Sequence, residues 1–228
     1  FGAEVAILAE GYQHWQLERE LDILLVDAGN VFGNGYILPR GTLREPISHI
    51  SRADICLMTK VDQAAAGSCD YIRETVHRYN PDARIVESIH QPRCFIPLTE
   101  WYVNIASQGI DIAKMRGKRI MAGSAIGNPA SCEQTISDIG AVIIESLRYP
   151  DHHDYAMSEM TDIFQQAENA GAEAIVITEK DAVKIPADVA REKWSIPIYV
   201  ICVEVNFQKG SEGLSEMLQK RLAERFGH

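Results

Sequence analysis

No run of about 18 consecutive apolar residues occurs in the 228-residue chain, so no membrane-spanning helix is expected within it, and no export signal is visible. Cysteine is scarce. Cys56, Cys69, Cys94, Cys132 and Cys202 form no CxxC pair, and this odd, scattered set of five fits neither a disulfide framework nor a zinc site, which points to a reducing, cytosolic compartment. Basic charge is in deficit: 22 Lys and Arg against 32 Asp and Glu leave a formal net charge of -10. Clustered cations are what nonspecific nucleic-acid binding needs, so no nucleic-acid partner is expected. Low-complexity tracts and internal repeats are missing too, and 46% hydrophobic with 24% charged residues describes an ordinary globular protein. The first residue is Phe1 rather than Met, and the opening FGAEVAILAEG reads as an apolar strand entered partway through a domain. An N-terminal truncation is the expectation.

What is present is a recurrence of short Val-, Ile- and Leu-rich stretches, at residues 5–8, 23–26, 55–58, 84–86, 119–121, 142–144, 174–177 and 197–203. Helix-period segments lie between several of them, at 64–79, 131–140, 158–170 and 213–226. Near-continuous apolar strands alternating with helices predict the α/β class, with a mostly parallel sheet covered on both faces. In the second helix Cys132, Ile136 and Ile139 form one buried stripe, and Asn128-Pro129 supplies cap and first-turn chemistry. Residues 91–117 are less regular, with Pro92, Pro97 and Gly109 around an apolar piece at 101–105, and read as a hinge between two lobes. The lobes are expected at 1–108 and 109–228, the second ending in a C-terminal helix.

Five segments carry candidate chemistry. Glu10-Gly11-Tyr12-Gln13-His14-Trp15 follows the first apolar stretch; an acid at the carboxyl end of a parallel strand is placed to hold Mg²⁺, or it sits in a plain strand-to-loop turn. Residues 33–46, GNGYILPRGTLREP, have glycines that let backbone N–H groups approach a ligand, with Arg44 able to fork onto a phosphate; a purely structural loop has the same composition. Thr59-Lys60-Val61-Asp62 is either a base-reading element like the NKxD of GTPases or a helix cap. Pro150-Asp151-His152-His153-Asp154-Tyr155 offers a His oriented by a carboxylate and poised to titrate near neutrality, or an exposed polar turn. Thr178-Glu179-Lys180-Asp181 stands where a helix should begin, so capping alone selects its Thr and Asp.

Taken in order, these segments resemble the tetraacyldisaccharide 4'-kinases, the lipid A 4'-kinase family, over nearly the whole chain. The family pattern DDGFQH, GNGxLLPAGPLREP, (N/T)K, GIANP, PDHH/Y and TEKDAVK is matched by AEGYQHW at 9–15, GNGYILPRGTLREP at 33–46, TKVD at 59–62, AIGNP at 125–129, PDHHDY at 150–155 and TEKDAVK at 178–184. The resemblance implies a P-loop-NTPase-like fold of two lobes joined by a short two-stranded hinge. It implies transfer of the γ-phosphoryl group of ATP, with Mg²⁺, to the 4'-hydroxyl of a lipid A disaccharide 1-phosphate. The enzyme would be cytoplasmic and peripheral to the inner membrane, held there by an N-terminal segment not in this sequence. Residue by residue, Glu10 stands for the second acid of the DD pair and the metal ligand, and Gln13, Arg44 and Glu45 for the nucleotide region. His152 and Asp151 stand for the catalytic PDH element, and Asn128, Glu179, Lys180 and Asp181 for acceptor binding. Residues 10–13, 44–45 and 152 are expected to converge on one cleft.

Three departures stand out. Ala9-Glu10 replaces the two aspartates, Arg40 and Thr42 replace Ala and Pro, and no GxxxxGK[ST] phosphate loop occurs among these residues. This polypeptide by itself is therefore expected to be inactive as a kinase. Two alternatives accompany that reading: a catalytically degenerate relative that binds nucleotide, and another P-loop enzyme reading its base through TKVD.

Overall fold

The computed structural model describes residues 5–103, 108–151 and 153–226. Along the chain come β1 (Ile23–Asp27), β2 (Ile55–Thr59), α1 (Ser68–Tyr79), β3 (Arg84–Pro97), α2 (Leu98–Trp101), β4 (Arg119–Ser124), α3 (Pro129–Asp138), β5 (Val142–Arg148), α4 (Met157–Ala170), β6 (Ala174–Thr178), α5 (Glu179–Ala182), β7 (Ile198–Lys209) and α6 (Ser211–Phe226). Every strand pairing within β1-β2-β3 and within β7-β6-β4-β5 is parallel, as near-continuous apolar strands predict.

The chain forms two compact units, Phe1–His90 with Val205–His228, and Gln91–Glu204. The sequence expectation of one boundary near residue 108 differs, because the chain passes between units inside strands: it leaves the first unit within β3 and returns to it within β7. Pro92 hid the length of β3, since a proline donates no ladder hydrogen bond and so reads as a linker residue. Residues 104–107, where the expected apolar piece at 101–105 ends, lie outside the described residues.

In the first unit β1, β2 and β3 run in register from Ile23 opposite Ile55 and Ile55 opposite Arg84. One face buries Val26, Cys56 and Met58 against Ile72 and Val76 of α1, which recur at helical spacing. Each such side chain contributes roughly 1.5–3 kcal/mol by leaving water. The α1 helix stops where Asn80 turns its amide to the Ala53 carbonyl at 2.8 Å, ahead of Pro81. Residues 5–8 are not the expected strand. Among the described residues nothing pairs with them, and Val5, Ile7 and Leu8 are exposed; an apolar run without a ladder partner stays irregular.

The second unit stacks β7-β6-β4-β5, and Ala174, Ile175, Val176 and Ile177 of β6 are all buried. Two cores cover its faces. One gathers Met121, Ile175 and Val200 under Met160, Ile163, Phe164 and Ala167 of α4, spaced i, i+3, i+4, i+7; the other packs Ile120, Val176 and Phe95 against Ile136 of α3. Parallel strands deliver all their carboxyl ends to one edge within each unit, and the motif segments other than AEGYQHW, which precedes β1, follow those ends.

Candidate active site

In the first unit Glu10 adopts the left-handed conformation, φ 56°, ahead of a single turn, Gly11–Gln13. Its carboxylate is 74% exposed, and Oε2 accepts a hydrogen bond from Arg44 at 2.9 Å. Glu10 and Arg44, expected as metal ligand and phosphate contact, are thus paired with each other.

Glu45 sits differently, with its side chain only 11% exposed. Oε1 accepts from the Trp15 indole at 3.2 Å, and Oε2 meets His49 Nδ1 at 2.7 Å and accepts from Arg52. Burial opposes its ionisation, but the hydrogen bonds from His49, Trp15 and Arg52 outweigh it and hold the carboxyl below its usual range. Arg52 also lies over the rings of Tyr12 and Trp15, at 4.4 and 5.0 Å. The Tyr12 hydroxyl donates to the His49 carbonyl at 2.6 Å, and burial pushes its pKa up to about 12, so it remains a donor. Glu45 therefore ties the YQHW turn to the LREP loop. Beside it lies a cavity of about 270 Å³ whose polar lining includes Gln13, Asp27, Asn30 and Arg44.

The glycine loop closes on itself. A Cβ on Gly41 would stand 2.0 Å from the Tyr36 carbonyl oxygen, and one on Gly33, at φ 53°, would stand 2.4 Å from Thr42 Oγ1. Arg40 stacks 3.6 Å from the Tyr36 ring centre, so both replacements in this loop make local contacts. At the end of β2, Lys60 is also left-handed, φ 56°, and pairs with Asp27 at 2.8 Å; Asp62 is exposed in the turn that follows. Among the described residues no side chain caps that turn, so TKVD is a strand-end ion pair rather than a helix cap.

In the second unit Asn128 Oδ1 accepts from the Ser131 N–H at 3.2 Å and caps α3, with Pro129 in the first turn. Asp151 is exposed after β5, and a Cβ on Gly127 would come 3.9 Å from its Oδ2. His152 lies outside the described residues. His153 Nε2 meets both carboxylate oxygens of Glu159, at 3.0 and 2.9 Å, while its ring stacks on Tyr149 at 4.6 Å. Glu179 is half-buried and Lys180 exposed, both on α5. Asp181 is fully buried: Oδ1 accepts from the Ala125 N–H at 2.9 Å and the Tyr155 hydroxyl at 3.2 Å, and Oδ2 from the Thr178 hydroxyl at 2.5 Å. The expectation that Asp181 touches the acceptor meets a carboxylate turned inward, in a capping box with Thr178. Among the described residues no cluster of three His, Cys, Asp or Glu could hold a metal alone, and no helix is long and apolar enough to cross a membrane.

A sequence model of the tetraacyldisaccharide-1-P 4'-kinases matches residues 1–223. The chain belongs to this family. Among its relatives, the tetraacyldisaccharide 4'-kinase of Halothermothrix orenii is 31% identical over 226 residues, covering 96% of this chain and 58% of the relative. That of Syntrophus aciditrophicus is 36% identical over 221 residues, covering 93% and 57%. The "apo" form LpxK of Aquifex aeolicus, solved in complex with ATP, shares the fold with a TM-score of 0.57 at 20% identity, over 93% of this chain and 56% of that one. The chain thus spans somewhat more than half the length of the relatives it matches. Of the six family segments, AEGYQHW, GNGYILPRGTLREP and TKVD fall in the first unit, and AIGNP, PDHHDY and TEKDAVK in the second.

Sequence reasoning overlooked Tyr12, Trp15, His49 and Arg52 around Glu45, and Tyr149, Tyr155 and Glu159 around His153 and Asp181. Tyr12, Trp15 and Tyr155 lay inside quoted motifs, and the T-x-x-D spacing of Thr178 and Asp181 was a legible cap. His49, Arg52, Tyr149 and Glu159 lie close in sequence to the residues they contact but outside the motifs.

Proposed function

We propose that this chain serves the ATP-dependent phosphorylation of the 4'-hydroxyl of tetraacyldisaccharide 1-phosphate in lipid A biosynthesis. The observation that carries the reading is the family match over residues 1–223, with all six motif segments in family order.

Arg44, 58% exposed, engages the nucleotide phosphates by exchanging Glu10 for a phosphate oxygen, and Gln13 lines the same cavity. Mg²⁺ is held in such sites by one or two carboxylates together with phosphates and water, and the exposed carboxylate of Glu10 fits that requirement. When bound, the ion neutralises charge on the transferring phosphoryl group. Glu45 keeps the loop under Arg44 in place. His152, next to Asp151 in the chain, takes the proton of the acceptor hydroxyl as its oxygen bonds to the γ-phosphorus; the bond to the bridging oxygen breaks and ADP leaves. Asn128, next in the chain to Gly127 that lies near Asp151, and Glu179 and Lys180, at the start of α5, are assigned to the acceptor. An acylated acceptor resides in a lipid surface, so the complete enzyme works peripherally, on the cytoplasmic side of the inner membrane where ATP is found.

The test uses the enzyme encoded by the full reading frame, [γ-³²P]ATP, Mg²⁺ and tetraacyldisaccharide 1-phosphate in detergent micelles. Label is expected at the 4' position, and its absence overturns the reading. His152→Ala should lower kcat by at least about 10²-fold with little change in the KM for ATP, and His153→Ala should do much less. Equal small effects, or loss with His153→Ala alone, would refute the histidine assignment. A degenerate relative has one observation in its favour, the Ala9-Glu10 pair with Glu10 already bound to Arg44; nucleotide binding without label transfer in the same assay would select it.

A further inference from the structure

We infer that Asp181 is a positioning residue, holding in mutual register three loops that carry the acceptor side of the reaction. This rests on the functional reading above. The loops leave the carboxyl ends of β6, β4 and β5, which are neighbours in the second unit. One carboxylate reaches all three. It accepts from Thr178 and caps α5, from the backbone N–H of Ala125 at the head of AIGNP, and from the hydroxyl of Tyr155 at the tail of PDHHDY. Asp181 is 0% exposed and Tyr155 6%, so no water competes for these bonds. Burial, and then the charge of Asp181, push the phenol of Tyr155 far above its ordinary range, which keeps it protonated and donating.

A stability role alone does not account for the arrangement. Buried carboxylates are weak stabilisers compared with apolar residues of similar volume, and they persist where a particular geometry must be specified. Here the specified geometry is that of the ligand loops. The Tyr149 N–H donates to the Ser124 carbonyl at 2.9 Å, and Asp151 Oδ2 lies against Gly127, so the loops after β4 and β5 meet at the residues assigned to catalysis. Releasing Tyr155 from Asp181 frees the far end of the segment holding Asp151 while leaving the cap of α5 and the Ala125 bond intact. Small displacements of a reacting group reduce rate far more than they reduce binding of a distant nucleotide.

Tyr155→Phe and Asp181→Asn test this in two ways. By hydrogen exchange on the 228-residue chain, Tyr155→Phe should speed the amides of Tyr149 and His153 by about tenfold or more with β6 and α4 unchanged. Asp181→Asn should in addition speed the amide of Ala125. In the full-length kinase both variants should lower kcat by about 10- to 10²-fold while the KM for ATP stays within about twofold. If Asp181→Asn does not fold, Tyr155→Phe carries the test. A loss of kcat no larger than the loss of folded protein, or a KM for ATP that rises in step, overturns the inference. If the wild-type enzyme transfers no phosphate, the kinase reading falls, and unchanged exchange at Tyr149 and His153 would then overturn the positioning role independently.

Discussion

Two titratable side chains in the first unit are displaced downward from their ordinary ranges, for different reasons. His90, the last residue before the chain first leaves that unit, is lowered first by burial and then by the Lys60 ammonium, with Asp27 and Asp62 acting in the opposite sense. A histidine harder to protonate when folded binds its proton first in the unfolded chain. Its contribution is therefore complete above the ordinary value of 6.5 and is lost as pH falls through the lower folded value. Thermal unfolding between about pH 7 and 5 should show a falling Tm in the wild type and a flatter one in His90→Gln; parallel curves would refute the assignment. Glu45 follows the same sign, with a contribution complete above the ordinary carboxyl value of 4.5 and lost below it. Its larger effect comes through its partners. Among the described residues Arg52 Nε is buried without a hydrogen-bond partner, and its other two nitrogens donate to Glu45 and to the Tyr12 carbonyl, so neutralising Glu45 leaves the guanidinium without its counter-ion. Urea unfolding at pH 7 should place Glu45→Gln about 1–3 kcal/mol below wild type, and a difference under about 0.5 kcal/mol would mean the brace is inessential. From the sequence, Glu45 was one letter of LREP; His49 and Arg52 follow it on one short helical segment, but that Trp15, 30 residues away, joins them is a tertiary fact with no local trace.

At the scale of the element, α3 begins with the clearest local instruction in the chain, an Asn-Pro pair that caps and starts a helix in one step. Asn128→Ala removes the bond to the Ser131 N–H and should cost about 1 kcal/mol in unfolding free energy, whereas Asn128→Asp or Asn128→Ser should restore most of it. Equal stability of all four proteins would show the cap idle. Instructions of this kind explain why seven of the eight expected strands and all four expected helices were legible: buried parallel strands are continuous in Val, Ile and Leu, and the helices between them keep one apolar stripe. What stayed illegible is equally physical. The polar middle of β3, His90-Gln91-Pro92-Arg93, has no strand signature and is nevertheless extended. Residues 5–8 have the signature and, among the described residues, lack the neighbour. TEKD was legible as a cap, but Ala125 and Tyr155 stand 56 and 26 residues away from Asp181, so its second role appears only in the fold.

Across the whole molecule, the six family segments divide evenly between the units while the phosphate-gripping apparatus of a P-loop enzyme has no counterpart within residues 1–228, where GxxxxGK[ST] does not occur. That apparatus is a ring of backbone N–H groups and one Lys, each charge-assisted bond contributing roughly 1.5–3 kcal/mol. Arg44, the cation that the proposed function assigns to the phosphates, is already paired with Glu10 at 2.9 Å, so on that proposal binding must replace an existing ion pair. Losing even three such bonds removes about 5–9 kcal/mol, enough to carry a micromolar nucleotide affinity beyond the millimolar range. Calorimetric titration of Mg·ATP into the 228-residue chain should accordingly give a dissociation constant weaker than about 1 mM. Arg44→Ala should weaken it little further, and Glu10→Gln, which releases Arg44, should leave it equal or slightly tighter. Micromolar binding by this chain would mean that the cavity beside Gln13, Asn30 and Arg44 grips phosphate through backbone groups of the 33–46 loop, and the dependence on a separate phosphate loop would be refuted.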